Sequence, residues 1–172
     1  ETGKQNLIEL WPNLEVYFHG GVNFQPYRKE YEALFPSNKF QYYEIYNASE
    51  GFFGIQDRNG SDEMLLMLDY GIFYEFIPMD RFGTSQQKAI RLAEVETGVS
   101  YAVVISTNAG LWRYLIGDTI RFTSTDPYRF RITGRTKHHI NVFGEELVIE
   151  NAETALTKVC EKHHATVADF TA

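Results

Sequence analysis

Residues 110–118 read GLWRYLIGD, and residues 134–144 read GRTKHHINVFG. The first segment has the aromatic and branched residues typical of a strand, and it ends in Gly117-Asp118, a pair typical of a turn. A turn here would leave the Asp118 carboxylate at the rim of a sheet, free to face a ligand. Its two acceptor oxygens match the paired hydroxyls of a ribose, and hydrogen bonds to a charged acceptor are about twice as strong as neutral ones. We therefore predict a diol-binding carboxylate, although a Gly-Asp pair taken alone indicates only a turn.

Strand-like segments fill the middle of the chain on both sides of this stretch. Turn-forming residues such as Thr97-Gly98 and Thr125-Asp126-Pro127 separate them. Short strands joined by such turns favour antiparallel neighbours, so we expect a twisted, mixed but largely antiparallel sheet or half-barrel with a few helices. The predicted strands are 64–68, 73–77, 92–96, 101–107, 111–115, 119–123 and 129–133.

The N-terminal part adds further strands and one helix. A predicted strand over 14–19 ends at Gly20-Gly21, where the backbone can turn sharply or approach a ligand closely. Pro26 suits the first position of a helix predicted over 26–35, which Pro36 ends. The remaining predicted strands in this part are 40–46 and 52–55.

The turn between those two strands contains Ser49 and Glu50. A carboxylate and a hydroxyl at the end of a strand fit a site for Mg²⁺ and phosphate, because magnesium is usually bound by one or two carboxylates plus substrate oxygens. Taken alone, the turn is better interpreted as a solvated loop between strands.

The pattern changes after Arg135, and we place a domain boundary there. Residues 1–136 then form one domain and residues 137–172 begin a small α/β domain, which gives an α+β chain overall. The predicted elements of the second part are a hairpin over 141–148 about Gly144, a helix over 150–163 and a strand over 166–170.

Composition limits the function. The chain has 172 residues, with 44% hydrophobic and 23% charged residues, which is typical of a globular domain. A net charge of −7 argues against nucleic acid or an anionic membrane as partner. The single cysteine, Cys160, excludes an internal disulfide and fits a cytoplasmic protein. No apolar run approaches the roughly 20 residues of a membrane span, and no signal peptide opens the sequence.

Several other constellations do not carry a site. Cys160 with His163 and His164 lacks the four-ligand spacing of a zinc site. The neighbouring His138 and His139 lie in an extended segment, where successive side chains point to opposite faces. Neither a Walker loop nor a Gly-x-Gly-x-x-Gly motif occurs, so both of these nucleotide folds are unsupported.

Four motifs, taken in order, resemble the ANL adenylate-forming enzymes. They are Gly20-Gly21, Tyr46-x-x-Ser49-Glu50, Trp112-Arg113-Tyr114-x-x-Gly117-Asp118 and Gly134-Arg135-x(4)-Ile140-Asn141-x-x-Gly144-Glu145. Within that superfamily the chain is most similar to the acyl-acid amido synthetase family, known from the plant auxin- and jasmonate-conjugating enzymes. The similarity spans nearly the whole chain, and residues 1–136 match the C-terminal half of the AMP-binding domain.

The resemblance implies an activity. Enzymes of this family use ATP and Mg²⁺ to convert a carboxylic acid into an acyl-adenylate, and then transfer the acyl group to an amine, usually that of an amino acid. The expected partners are therefore a small carboxylic acid and an amino acid. Missing N- and C-terminal parts of the same polypeptide would complete the enzyme.

The resemblance also implies roles for individual residues of the nucleotide site. Tyr46 would lie along the adenine ring, and Asp118 would bind both ribose hydroxyls. Arg135 would reach the ribose or a phosphate as a catalytic residue. Lys137 falls at the hinge about which the small domain rotates, and would contact the nucleotide.

Other matched residues would serve the phosphates and the acyl group. Gly20-Gly21 would bring backbone against the adenine or the acyl group. Ser49 would bond near the phosphates, and Glu50 would hold Mg²⁺ as a catalytic metal ligand.

Two departures from the family pattern bear on activity. The phosphate loop that the family carries upstream is absent, and the sequence starts without methionine and stops inside a predicted strand, so we expect an internal piece that is inactive alone. A Gly-Glu-Lys expected at the hairpin reads Gly144-Glu145-Glu146, which replaces attraction for phosphate by repulsion. The alternative is a non-catalytic nucleotide- or acyl-binding module, or a structural interaction domain.

Overall fold

Alternating apolar and polar residues along the middle of the chain form nine strands of one sheet. The computed structural model describes residues 3–21, 24–136, 139–142, 145–163 and 165. The strands of the large sheet are β1 (Val16–His19), β2 (Gln41–Ala48), β3 (Gly51–Ile55), β4 (Met64–Leu66), β5 (Ile72–Pro78), β6 (Ile90–Arg91), β7 (Ser100–Thr107), β8 (Tyr114–Thr125) and β9 (Tyr128–Arg135).

The strand order is β1-β2-β3-β4-β9-β8-β7-β5-β6. Only the pair β1 and β2 is parallel among the pairs of this sheet, and the others are antiparallel. The sheet is therefore mixed and largely antiparallel, as predicted.

Side chains cross the concave face of the sheet. The rings of Phe53 on β3 and Tyr74 on β5 lie 6.5 Å apart, although four strands separate β3 from β5 in the sheet. The Tyr74 hydroxyl also donates a hydrogen bond of 3.0 Å to the carbonyl of Met67, which follows β4. Strands that far apart meet only if the open sheet curls toward its concave face. Its interior is filled by large side chains with almost no exposure: Phe53, Phe76, Phe122, Phe130, Met64, Ile105 and Ile120.

A β-bulge interrupts β8 where the sequence predicted a turn. Ala102 pairs with Thr119 and Val104 pairs with Leu115, so one residue of β7 lies opposite three residues of β8. Gly117, in the middle of the three, has a φ of +94°, which a side chain would strain. The prediction of two strands over 111–115 and 119–123 with a turn between them is therefore wrong. A bulge re-aims a side chain without ending the strand, and here it re-aims Asp118.

The prediction of a strand over 92–96 is also wrong. β6 has only two residues, and Leu92–Glu94 form one turn of 3₁₀ helix. The Glu94 carboxylate accepts a hydrogen bond of 2.9 Å from the backbone N–H of Arg91. This local cap outweighs the alternating pattern that indicated a strand.

Two α-helices and a few single 3₁₀ turns occur in the described part of the chain. The predicted helix over 26–35 is present as a 3₁₀ turn, Gln25–Tyr27, followed by α1 (Arg28–Leu34). In the second part, β10 (His139–Val142) and β11 (Glu145–Val148) form the predicted hairpin, and α2 (Ile149–His163) follows. Gly144, Lys137 and the predicted strand 166–170 lie outside the described residues. Within the described part of the chain, no helix is long and apolar enough to cross a membrane.

Candidate functional site

The Asp118 carboxylate lies on the β8 bulge and contacts two other strands. Its Oδ2 accepts a hydrogen bond of 2.6 Å from the hydroxyl of Tyr46 on β2. Its Oδ1 lies 3.2 Å from Nε of Arg135, the last residue of β9. The side chain is 19% exposed. The bulge turns Asp118 toward the concave face, where both of its oxygens have protein partners. Its predicted contact with a ribose diol stays a prediction.

Tyr46 occupies the core instead of offering its ring to a ligand. It is 7% exposed, and its ring packs against Phe53 and Phe130 at centroid distances of 4.9 and 6.0 Å. The ring is therefore largely covered by protein, and the predicted contact of Tyr46 with an adenine ring stays a prediction. Burial, and then the nearby Asp118 charge, raises the pKa of Tyr46, so its hydroxyl stays protonated and acts as a donor.

The end of β9 fixes the bulge from the other side. Thr136 donates its backbone N–H to the carbonyl of Gly117 at 2.8 Å, and its hydroxyl lies 3.3 Å from the same oxygen. Thr133 donates a hydrogen bond of 3.0 Å to the Thr119 hydroxyl, and this pair is buried. Nothing in the sequence distinguishes these threonines from ordinary strand residues, so they were not predicted.

Gly20 and Gly21, which follow β1, meet different structural requirements. A Cβ on Gly20 would lie 2.3 Å from the backbone carbonyl oxygen of Ile45, so close approach of the parallel strand β2 requires glycine there. Gly21 has a φ of +85° and open space around its Cα. Gly20 therefore serves β1–β2 packing, whereas Gly21 supplies a backbone conformation that other residues rarely adopt, and both residues are exposed.

Ser49 and Glu50 form the turn between β2 and β3. They follow Tyr46 by three and four residues, so this turn continues the strand that contacts Asp118. Among the described residues, no group of three or more His, Cys, Asp or Glu side chains could hold a metal alone. One carboxylate fits Mg²⁺ only when substrate phosphates supply further oxygens, which is the usual mode for this ion.

An aromatic pocket of about 410 Å³ lies beside Gly20. Within the described part of the chain, Nδ1 of His19 is buried there without a hydrogen-bond partner. Burial, and then the Arg28 charge, lowers the pKa of His19, so the imidazole is neutral near pH 7. Such a pocket suits an apolar, flat ligand. Sequence reasoning missed His19 because a lone histidine at a strand end carries no signal. The lining residues are Tyr17, Phe18, His19, Gly20, Phe24, Tyr27 and Tyr31.

The carboxyl of Glu44, on β2, has an unusually high pKa. Burial, followed by the negative charge of Asp62, raises the pKa of Glu44 from 4.5 to about 7. The backbone N–H of Glu44 donates a hydrogen bond of 2.9 Å to Gln56 Oε1. This bond holds the strand, but it brings no positive charge to the Glu44 carboxyl. The neutral form is thus favoured in the folded chain.

Glu44 is expected to make the chain less stable as the pH rises. Its pKa is higher in the folded than in the unfolded state, so the stability that the neutral Glu44 carboxyl contributes is fully present below about pH 4.5 and is lost as the pH rises to about 7. The loss is on the order of 2 kcal/mol after allowance for the part of the carboxyl that water reaches. Urea denaturation across this range should show the loss in the wild type but a flatter curve in Glu44→Gln. Glu30→Gln, on the exposed face of α1, is the control, and an unchanged curve in Glu44→Gln would contradict the prediction.

Comparison with known proteins identifies related sequences along most of the chain. The GH3 family N-terminal domain matches residues 1–40, and the GH3 family central domain matches residues 65–135. Indole-3-acetic acid-amido synthetase GH3.4 of Arabidopsis thaliana is 32% identical over 127 residues, which are 68% of this chain and 21% of that protein. Indole-3-acetic acid-amido synthetase GH3.8 of Oryza sativa subsp. indica is 28% identical over 181 aligned residues, covering 96% of this chain and 29% of that protein.

A solved structure has the same fold. The GH3.15 acyl acid amido synthetase matches with a TM-score of 0.75 and 22% sequence identity, over 96% of this chain and 30% of that one. The chain thus spans less than a third of the length of the relatives it matches. The β8 bulge with Asp118 falls inside the central-domain match.

Proposed function

Because this chain belongs to the GH3 family, we propose that it supplies the nucleoside side of the active site in a longer, ATP-dependent acid-amido synthetase. The observation that supports this best is the Asp118 carboxylate, held at both oxygens by Tyr46 and Arg135. An ionised carboxylate has about four acceptor sites, so one remains on each oxygen for the two hydroxyls of a ribose.

The proposed reaction has two steps. An oxygen of the acid's carboxylate attacks the α-phosphorus of ATP, the bond from that phosphorus to the bridging oxygen breaks, and pyrophosphate leaves. The amine nitrogen of an amino acid then attacks the acyl carbon, AMP leaves with the acyl–oxygen bond electrons, and the nitrogen loses a proton. Asp118 positions the ribose in both steps, and positioning of this kind lowers the entropic part of the barrier.

The aromatic pocket beside Gly20 is assigned to the acid. The rings that line the pocket match a flat, apolar acyl group. The open space at Gly21 leaves room for the protein backbone to approach the carboxylate of the acid substrate. Since β1 and β2 run parallel, the pocket at the end of β1, opposite Glu44, and the Ser49-Glu50 turn, five residues farther along β2, both lie toward the same edge of the sheet. The acid and the phosphates would therefore meet there.

Glu50 is proposed to hold Mg²⁺, with Ser49 bonding near the phosphates. The ion would neutralise negative charge on the phosphate oxygens. Arg135, 56% exposed at the end of β9, keeps guanidinium nitrogens available for a phosphate while Nε faces Asp118. Lys137 is proposed as the hinge residue that adds a second positive charge.

Glu50→Gln is expected to raise the Mg²⁺ concentration needed for half-maximal adenylation, because the neutral amide is a weaker ligand for a hard cation. The fold should be unaffected, since a surface turn residue usually changes stability by less than about 0.5 kcal/mol. The Mg²⁺ curve is measured in the full-length protein, with Asp69→Asn, an exposed acid in the loop before β5, as control. A Glu50→Gln curve that coincides with the wild type would remove Glu50 from the metal site.

The proposed activity is tested by acid-dependent exchange of labelled pyrophosphate into ATP. We expect exchange by the full-length protein and none by the 172-residue chain alone, because phosphate binding would need the segments that the relatives have in addition. Full-length protein that binds ATP but shows no exchange with any carboxylic acid would favour a non-catalytic nucleotide-binding module instead.

A further inference from the structure

We propose that Tyr46 is a positioning residue that sets the orientation of the Asp118 carboxylate for a ribose diol. This inference rests on the proposed function of Asp118, and it replaces the expected contact of Tyr46 with adenine.

Tyr46 reaches Asp118 from a distant part of the sheet. Its strand, β2, is separated from β8 by β3, β4 and β9, and the hydrogen bond joins residues 72 apart in the sequence. The ring is fixed between Phe53 and Phe130, so the hydroxyl has little freedom to move. At 2.6 Å the bond has the length of a strong, charge-assisted O–H···O⁻ contact.

The two protein partners fix the plane of the carboxylate. The terminal torsion of an aspartate is soft, so without a second contact the carboxylate of Asp118 would rotate. Arg135 holds Oδ1 and Tyr46 holds Oδ2, which fixes that torsion from both sides. A diol needs both oxygens at once, so it is sensitive to this rotation in a way that a single hydroxyl is not.

Tyr74 provides a matched comparison. It belongs to the same core as Tyr46, is 4% exposed, and donates one hydrogen bond of 3.0 Å, to the carbonyl of Met67. Its hydroxyl is therefore structural and is not bonded to Asp118. Removing either hydroxyl deletes one buried hydrogen bond, but only Tyr46→Phe frees the carboxylate.

The experiment measures dissociation constants of ATP, 2′-deoxy-ATP and 3′-deoxy-ATP for the full-length wild type, Tyr46→Phe and Tyr74→Phe. The wild type should prefer ATP over either deoxy analogue by about tenfold or more. In Tyr46→Phe the affinity for ATP should fall about tenfold, while the affinities for the analogues change by less than about threefold, so the preference nearly disappears. In the exchange assay this change should appear in KM for ATP more than in kcat.

Every other outcome contradicts either this inference or the diol assignment of Asp118. The wild-type preference retained in Tyr46→Phe would overturn the inference and leave the proposed function intact. An equal loss of affinity for all three nucleotides in Tyr46→Phe and Tyr74→Phe would mean a purely structural role and would also overturn it. A wild type without preference for ATP would remove the diol assignment of Asp118 itself, and this outcome is visible before either variant is examined.

Discussion

Asp118→Ala should weaken ATP binding to the full-length protein by about 2–4 kcal/mol. Two hydrogen bonds to a charged acceptor contribute roughly 1.5–3 kcal/mol each, and the sum is reduced because one carboxylate makes both. The structure adds a second cost, since the buried Tyr46 hydroxyl and the Arg135 guanidinium lose their common partner. Isothermal titration or a KM for ATP in pyrophosphate exchange would measure the loss.

The control for this prediction is Asp69→Ala, which removes an exposed carboxylate in the loop before β5. Asp118→Asn separates the effect of the negative charge on ATP affinity from the effect of side-chain shape, because the amide keeps one acceptor oxygen in nearly the same volume. We expect the affinity of Asp118→Asn to lie between those of the wild type and Asp118→Ala. Unchanged ATP affinity in Asp118→Ala would show that the carboxylate serves the sheet alone.

The sequence singled out Asp118 but described its backbone wrongly. A glycine followed by an aspartate is compatible with a turn or with a bulge, because both use the positive φ that Gly117 adopts. A turn and a bulge differ only in whether β7 continues to pair with β8 beyond Gly117. That pairing joins residues far apart in the chain. Local pattern therefore identified the special position without distinguishing the two structures.

Side-chain partners were the least predictable part of the site. Tyr46 was singled out by its motif, but its hydroxyl bonds to a residue 72 positions away across a curled sheet. Glu44 and His19 carried no motif, and their altered pKa values arise from burial that exists only after folding. By contrast, strand-forming segments and the turn residues between them predicted most strands and the hairpin, because those signals are local.

The same sheet contains an ion pair with a buried arginine that the sequence did not indicate. Arg129 on β9 forms a two-pronged contact with Asp57, in the loop after β3, with Nη2 to Oδ2 at 2.8 Å. The arginine side chain is 6% exposed and the aspartate 30%. The hydrogen bond from Arg129 lowers the pKa of Asp57, so the carboxylate stays ionised near pH 7. Removing Asp57 would leave a positive charge buried without its partner.

Asp57→Ala is accordingly expected to lower the free energy of unfolding by about 3 kcal/mol, the lower end of the range for breaking a buried ion pair. For a chain of this size the midpoint of thermal unfolding should fall by roughly 10 °C. Asp62→Ala is the matched control, because Asp62 pairs with Arg131 on the same strand in an exposed contact, with 60% and 46% of the side chains accessible. It should cost less than about 1 kcal/mol, and relief of its repulsion with Glu44 reduces the cost further. Urea denaturation of both variants at pH 7 measures the difference, and equal losses would mean that burial of Arg129 does not set the strength of its pair.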